Sequence, residues 1–261
     1  MELPIRIIST DFDGTFHSDF EDPPIPRTLQ ELIGMLQSKG AIWVINTGRE
    51  FHSLMETLES CQISIQPDYL VTVEREIHVR NGSGYLPMED WNRACQTANQ
   101  RLFDSVISKI PEVTADLANR YAARIYEDAF SPLCFIAESN VDADGICLYL
   151  EEYFGSEPDL AVVRNDIYGR LSHSGFNKGS ALSEIGRRLG IGPEYTAAAG
   201  DHMNDLPMLE HARARWLIAP GNAVEVVKEM VRNQEGFVSA EHCGNGVAAG
   251  LRHWLRYLSN G

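Results

Sequence analysis

Ile5-Arg6-Ile7-Ile8-Ser9-Thr10-Asp11-Phe12-Asp13-Gly14-Thr15 decides how this chain is read: a short β-rich run stops at an aspartate and gives way to a polar loop. The loop continues through Asp19, Asp22 and the proline-rich Pro23-Pro24-Ile25-Pro26. From Thr28 to Lys39 the apolar residues Leu29, Leu32, Ile33 and Leu36 recur at helical spacing, and Gly40 closes the segment, so the pattern predicts an amphipathic helix. Ala41-Ile42-Trp43-Val44-Ile45 is an apolar run of strand length, ends in Asn46-Thr47-Gly48-Arg49, and precedes a helix predicted from about 50 to 59. The order βαβα predicts a parallel sheet with helices on both faces.

Tyr69-Leu70-Val71-Thr72-Val73 reads as a further strand, and the stretch from Glu74 to the turn Asn81-Gly82 has hairpin character. From about Tyr85 the rhythm changes. A helix over 89–110, strands over 121–126 and 132–139, a helix from Asp142 to Phe154 and short strands at Ala161–Arg164 and Tyr168–Leu171 suit a separate α+β module. From Asn177 the βα alternation resumes: helix Ser180–Leu189, strand Tyr195–Ala199, helix Asp205–Ala212, strand Arg215–Ile218 and helix Ala223–Val231. The expected architecture is α/β, a Rossmann-like doubly wound parallel-sheet core over 1–82 and 172–261, interrupted by an inserted α+β cap domain over 83–171.

Bulk composition narrows the function. The 261 residues are 44% hydrophobic and 23% charged, with a net charge of −15. Such a surface repels nucleic acid, whose binding rests on lysine and arginine neutralising phosphates, so no nucleic-acid partner is expected. No apolar run approaches the roughly 20 residues that span a bilayer, so no membrane association is expected. The run Met1-Glu2-Leu3-Pro4-Ile5-Arg6 leads straight towards the first strand without a basic, apolar and small-residue leader, which reads as cytoplasmic. Five cysteines, Cys61, Cys95, Cys134, Cys147 and Cys243, form no CxxC pair and argue against a disulfide framework or a thiolate zinc site. A phosphate-bearing substrate must then be small and must meet positive charge locally.

The polar clusters supply that site. In an open parallel sheet the C-terminal strand ends share one edge, and ligands bind there. Asp11 and Asp13 follow the first strand, Thr47-Gly48-Arg49 the second, and Gly200-Asp201-His202-Met203-Asn204-Asp205 the strand Tyr195–Ala199. Carboxylates gathered at one edge repel one another unless a hard cation sits among them, and Mg2+ prefers such oxygen ligands. An aspartate can attack phosphorus to give an acyl phosphate, and a second carboxyl, Asp13, can protonate the leaving alkoxide and later deprotonate water. Thr47 can donate its hydroxyl, and Lys178 its ammonium, to phosphoryl oxygens, while Asn177-Lys178-Gly179-Ser180 opens a helix whose free N–H groups add positive field.

Taken in order, Asp11-Phe12-Asp13-Gly14-Thr15, Thr47-Gly48-Arg49, Asn177-Lys178-Gly179 and the Gly200-to-Asp205 run resemble the motifs of the haloacid dehalogenase superfamily. The large insertion between the second and third motifs is similar to that of the type II capped branch, which includes Cof-like and sucrose-phosphatase-like enzymes. The resemblance implies Asp11 as nucleophile, Asp13 as general acid and base, and Thr47, Gly48, Arg49 and Lys178 as substrate-binding residues. It implies Mg2+ held by the Asp11 side chain, the Asp13 backbone carbonyl and Asp201, with Asn204 and Asp205 supporting the metal site. Arg49 is read as ordering the acidic loops, and His202 as a bystander. At residues 74–76 the chain has Glu74-Arg75-Glu76 where sucrose-phosphate phosphatases have Gly-Thr-Glu. The expected activity is hydrolysis of a small phosphorylated metabolite, a sugar phosphate foremost, under a mobile cap. A phosphomutase using the same nucleophile and a non-catalytic binder of phosphorylated metabolites are the alternatives, and the sequence leaves oligomeric state open.

Overall fold

The computed structural model describes residues 3–259. Met1 and Glu2, part of the N-terminal run read above, lie outside the described residues. The chain divides into two compact units, Met1–Met88 with Lys178–Gly261, and Glu89–Asn177.

The first unit opens with β1 (Ile7–Thr10), α1 (Arg27–Ser38), β2 (Ile42–Asn46), α2 (Phe51–Ser60), β3 (Tyr69–Thr72), β4 (Glu76–Asn81) and β5 (Gly84–Pro87). All four β1 residues are buried, as expected of a strand covered on both faces. In α1, Leu29, Ile33 and Leu36 are the buried residues, one stripe of the predicted amphipathic helix. The strand β5 pairs antiparallel with β4 in the core sheet, so this unit runs six residues past the expected boundary at 82.

The second unit contains α3 (Glu89–Val106), α4 (Ile110–Arg120), β6 (Ala123–Asp128), β7 (Ser131–Ala137), α5 (Asn140–Tyr153), β8 (Leu160–Asn165) and β9 (Tyr168–His173). The helix expected over 89–110 ends at Val106, a single 3-10 turn follows, and the chain becomes helical again with Pro111 in the first turn of α4, where its missing N–H costs nothing. The strands form one antiparallel sheet in the order β6-β7-β9-β8, over a core that includes Val113, Leu117, Phe135, Ile146 and Leu171. Because β9 runs to His173 against β8, this unit extends to Asn177 rather than ending at 171.

The chain then returns with α6 (Lys178–Leu189), β10 (Thr196–Ala199), β11 (Trp216–Ala219), α7 (Glu225–Asn233), β12 (Phe237–Val238) and α8 (Cys243–Ser259). The eight-stranded core sheet runs β12-β11-β10-β1-β2-β3-β4-β5, parallel from β12 to β3. Register fixes the site. Thr10 pairs with Ala199 on one side and Ile45 on the other, so Asp11, Asn46-Thr47 and Gly200-Asp201 leave the sheet side by side.

Elements of this second half also differ from the expectation. In place of a helix over 205–212, Met203–Met208 forms a 3-10 segment containing Pro207, which has no N–H for an α-helical ladder. The helix α8 was not read from the sequence because Gly244, Gly246 and Gly250 lower its helical propensity. The structure supplies the reason for Gly250: a Cβ there would lie 2.6 Å from Ile218 Cγ2, so the missing side chain lets α8 lie close on β11.

The first turn of α6 is equally tight, since a Cβ at Gly179 would stand 2.1 Å from the carbonyl oxygen of Pro207. Gly179→Ala is therefore expected to destabilise the protein by about 1–3 kcal/mol through overpacking. Urea unfolding of the two proteins measures it, and equal stability would contradict this contact.

Candidate functional site

Asp11 continues the β1 line, its N–H donating to Ala199 O at 2.9 Å, and its carboxyl is buried. The Lys178 ammonium at the head of α6 is fully buried and donates to Asp11 Oδ1 and to Asp205 Oδ1, both at 2.6 Å. The helix head is itself tied to β2, because Asn46 Nδ2 donates to Lys178 O at 2.9 Å. Asp205 turns back on its own loop, where its Oδ2 accepts from the N–H groups of Asp201 at 2.8 Å and His202 at 3.0 Å.

Asp11, Asp201 and Asp205 present carboxylate oxygens within 4.8 Å of one another. Thr15 Oγ1 donates to Asp201 Oδ1 at 2.9 Å. Gly14, in the left-handed region at φ 75°, makes room for that carboxylate, since a Cβ there would lie 2.4 Å from Asp201 Oδ2. Three carboxylates thus face one ammonium. Burial, and then repulsion from Asp205, push the Asp11 carboxyl well above the usual range and the Asp201 carboxyl up to about 7. Burial alone would lower the Lys178 pKa, but Asp11, Asp205 and Glu74 outweigh it and raise it.

Asp13 is held apart from this cluster. Arg49 grips it with two charge-assisted hydrogen bonds, Nε to Oδ2 and Nη2 to Oδ1, both at 2.7 Å, while His17 Nδ1 stands 3.8 Å from Oδ1. Burial would raise its pKa, yet the contacts from His17 and Arg49 hold it below the usual carboxylate range. Thr47 is buried, its N–H donates to Val71 O at 2.8 Å, and its hydroxyl accepts from Arg49 N at 3.1 Å.

The fold therefore gathers Asp11, Lys178, Asp201 and Asp205 directly, and joins Asp13 to Arg49 beside them. Two further residues were not singled out from the sequence. Asn222, just past β11, donates through Nδ2 to Gly14 O at 2.7 Å and Asp201 Oδ2 at 3.3 Å. Its signal was available, as a polar residue after another parallel strand at the same sheet edge. Glu74 is buried and accepts from Asn204 Nδ2 at 2.9 Å, and no sequence pattern pointed to it as a site residue.

Comparison with known proteins gives the family. Residues 108–251 match the family of haloacid dehalogenase-like hydrolases, and residues 4–120 match sucrose-6F-phosphate phosphohydrolase. A phosphoglycolate phosphatase of Methanoculleus marisnigri is 34% identical, with 97% of this chain and 98% of that protein aligned. A 5-amino-6-(5-phospho-D-ribitylamino)uracil phosphatase of Bacillus subtilis is 25% identical over 97% of each chain. In fold, the sucrose-phosphatase of Synechocystis sp. PCC6803, solved with sucrose and phosphate, matches with a TM-score of 0.72 at 18% identity over 97% of this chain and 98% of that one. The chain belongs to the haloacid dehalogenase-like hydrolases. Within them it is a phosphatase of the Cof-like and sucrose-phosphatase-like branch. Among the described residues no helix is long and apolar enough to cross a membrane.

The raised Asp201 pKa has a stability consequence with a definite sign. The folded protein holds a proton there that the unfolded chain releases near 3.8, so this group favours folding below that pH and progressively less as pH climbs towards 7. In metal-free protein the melting temperature of wild type relative to Asp201→Asn is expected to fall between about pH 4 and 7. A difference that stays flat or rises across that window would contradict the crowding of carboxylates described here.

Proposed function

We propose that this phosphatase hydrolyses the monoester of a small phosphorylated metabolite, a sugar phosphate foremost, with Asp11 as nucleophile and Mg2+ as cofactor. The observation that carries the reading is the buried Asp11 carboxylate at a parallel-strand terminus, 2.6 Å from the Lys178 ammonium and clustered with Asp201. The donor set fits the ion. It is all oxygen and carries more negative charge than Lys178 offsets, and the loop that carries Asp201 and Asp205 also holds Asn204 Oδ1, a buried acceptor with no protein donor. Asp11 and Asp201 would hold Mg2+ together with the Asp13 backbone carbonyl, with Asn204 in support beside Asp205, whose oxygens accept from Lys178 and two N–H groups. Bound there, Mg2+ supplies charge neutralisation and polarises phosphoryl oxygens.

The rest is done by the chain. The Thr47 hydroxyl and the Lys178 ammonium bind the phosphoryl oxygens, and the Gly48 and Arg49 segment shapes their surroundings. An Asp11 oxygen attacks phosphorus as the bond to the leaving oxygen breaks, and that oxygen takes a proton from Asp13. Water then gives a proton to Asp13 and attacks the aspartyl phosphate at phosphorus, releasing inorganic phosphate and restoring both aspartates. The Arg49 grip favours ionised Asp13, the form needed for the second half-reaction, so protonated Asp13 belongs to a state with that grip relaxed. We read Glu89–Asn177 as the cap that selects the substrate.

With Mg2+ and p-nitrophenyl phosphate, Asp11→Asn is expected to lower kcat by roughly 10^4-fold or more, as removal of a nucleophile does. A chelator should abolish wild-type turnover, and added Mg2+ should restore it. Undiminished turnover by Asp11→Asn would sink the nucleophile assignment. On a panel ranked by kcat/KM, turnover of nucleotides with none of the sugar phosphates would overturn the substrate class.

A further inference from the structure

The turn between β3 and β4 is built from the wrong residues for its shape. Val73 and Glu74 both lie in the left-handed region, at φ 42° and 67°, where glycine and asparagine are at ease and a β-branched valine is an outlier. Strain of this kind persists only where the surroundings over-determine it, and it concentrates at functional sites. Here the surroundings are the second motif: Val73 N–H donates to Arg49 O and Glu74 N–H to Thr47 O, both at 2.9 Å. The turn therefore backs the loop that carries Thr47 and Arg49.

The strained conformation buries the Glu74 side chain beside the site. Its Oε1 lies 3.1 Å from where a Cβ on Gly48 would stand, and it accepts from Asn204 Nδ2 at 2.9 Å across 130 residues of sequence. A carboxylate accepts and does not donate, so this contact fixes which way the Asn204 carboxamide faces: N–H2 towards Glu74, Oδ1 away from it. That Oδ1 is buried without a hydrogen-bond partner, on the same loop as Asp201 and Asp205. A buried acceptor left bare is costly unless a ligand or water brings the donor.

We infer that Glu74 is a positioning residue, which holds the Asn204 carboxamide so that its Oδ1 is the acceptor for a donor hydrogen of substrate or metal-bound water. The inference rests on the phosphatase reading of this site. It accounts for a glutamate at a position whose backbone favours glycine, because glycine would relax the turn but leave the carboxamide free to flip or rotate.

The test is a coupled set of variants assayed with p-nitrophenyl phosphate and Mg2+, with melting temperatures recorded beside the kinetics. Glu74→Gly relieves the backbone strain but strips a buried hydrogen bond from Asn204, so it is expected to stay folded with a melting temperature near that of wild type, yet to lose about 10- to 100-fold in kcat, the usual cost of removing a partner that orients a site residue. Glu74→Gln retains an oxygen that accepts from Asn204, and should keep kcat within about threefold of wild type, well inside that loss. Adding Glu74→Gly to Asn204→Ala should cost nothing further, because the first residue acts through the second. Wild-type kcat in Glu74→Gly, a Glu74→Gln loss as deep as that of Glu74→Gly, or additive losses in the double variant would each overturn the assignment. An active wild type beside any of these results indicts Glu74 alone, whereas an inert wild type overturns the phosphatase site and this inference together.

Discussion

The Lys178 ammonium, buried between Asp11 and Asp205, is the interaction on which the rest of the site depends. It joins the first strand, the head of α6 and the loop after β10, reaching 167 residues back to Asp11 and 27 residues on to Asp205. Removing one member of a buried ionic group leaves charge without a partner, at a cost of about 3–5 kcal/mol. The fold keeps Lys178 from straying: Asn46 holds its carbonyl and Gly179 lets α6 press against Pro207. The ammonium is thus set in place by the fold itself.

One ammonium does not balance the carboxylates around it. Asp11, Asp201 and Asp205 share the cluster, and Glu74 adds its field to Lys178. A protein with a net charge of −15 concentrates further negative charge at this sheet edge, an arrangement that a bound cation or proton uptake relieves. The same crowding separates the two aspartates of the first motif. Asp11 sits in the surplus and is pushed up, while Asp13, two residues on, is drawn away by Arg49 and His17 and held down. Two carboxyls on one short loop are thereby given different proton affinities.

Much of this was legible because a parallel sheet converts sequence order into spatial neighbourhood. Each apolar strand ending in a polar turn, at Asp11, at Thr47 and at Gly200, had to emerge on the same edge, and the register of Thr10 between Ile45 and Ala199 is the physical form of that inference. The helix α8 was hidden because the glycines that let it approach β11 are the residues that argue against a helix in isolation. Pro207 and the capping side chain of Asp205 made a 3-10 segment of an expected helix. Glu74 was hidden for a deeper reason: its role depends on a left-handed turn that Val73-Glu74 does not announce and on a partner, Asn204, far away in sequence.

The central claim is that Asp11 is the group that takes up phosphate, with Lys178 beside it to receive the charge. Rapid acid quenching of a single turnover, followed by peptide mass spectrometry, tests it most directly. A phosphate adduct on the peptide that contains Asp11, formed and lost at rates matching turnover, is the predicted result. Turnover with no adduct, or with the adduct on another residue, would contradict it.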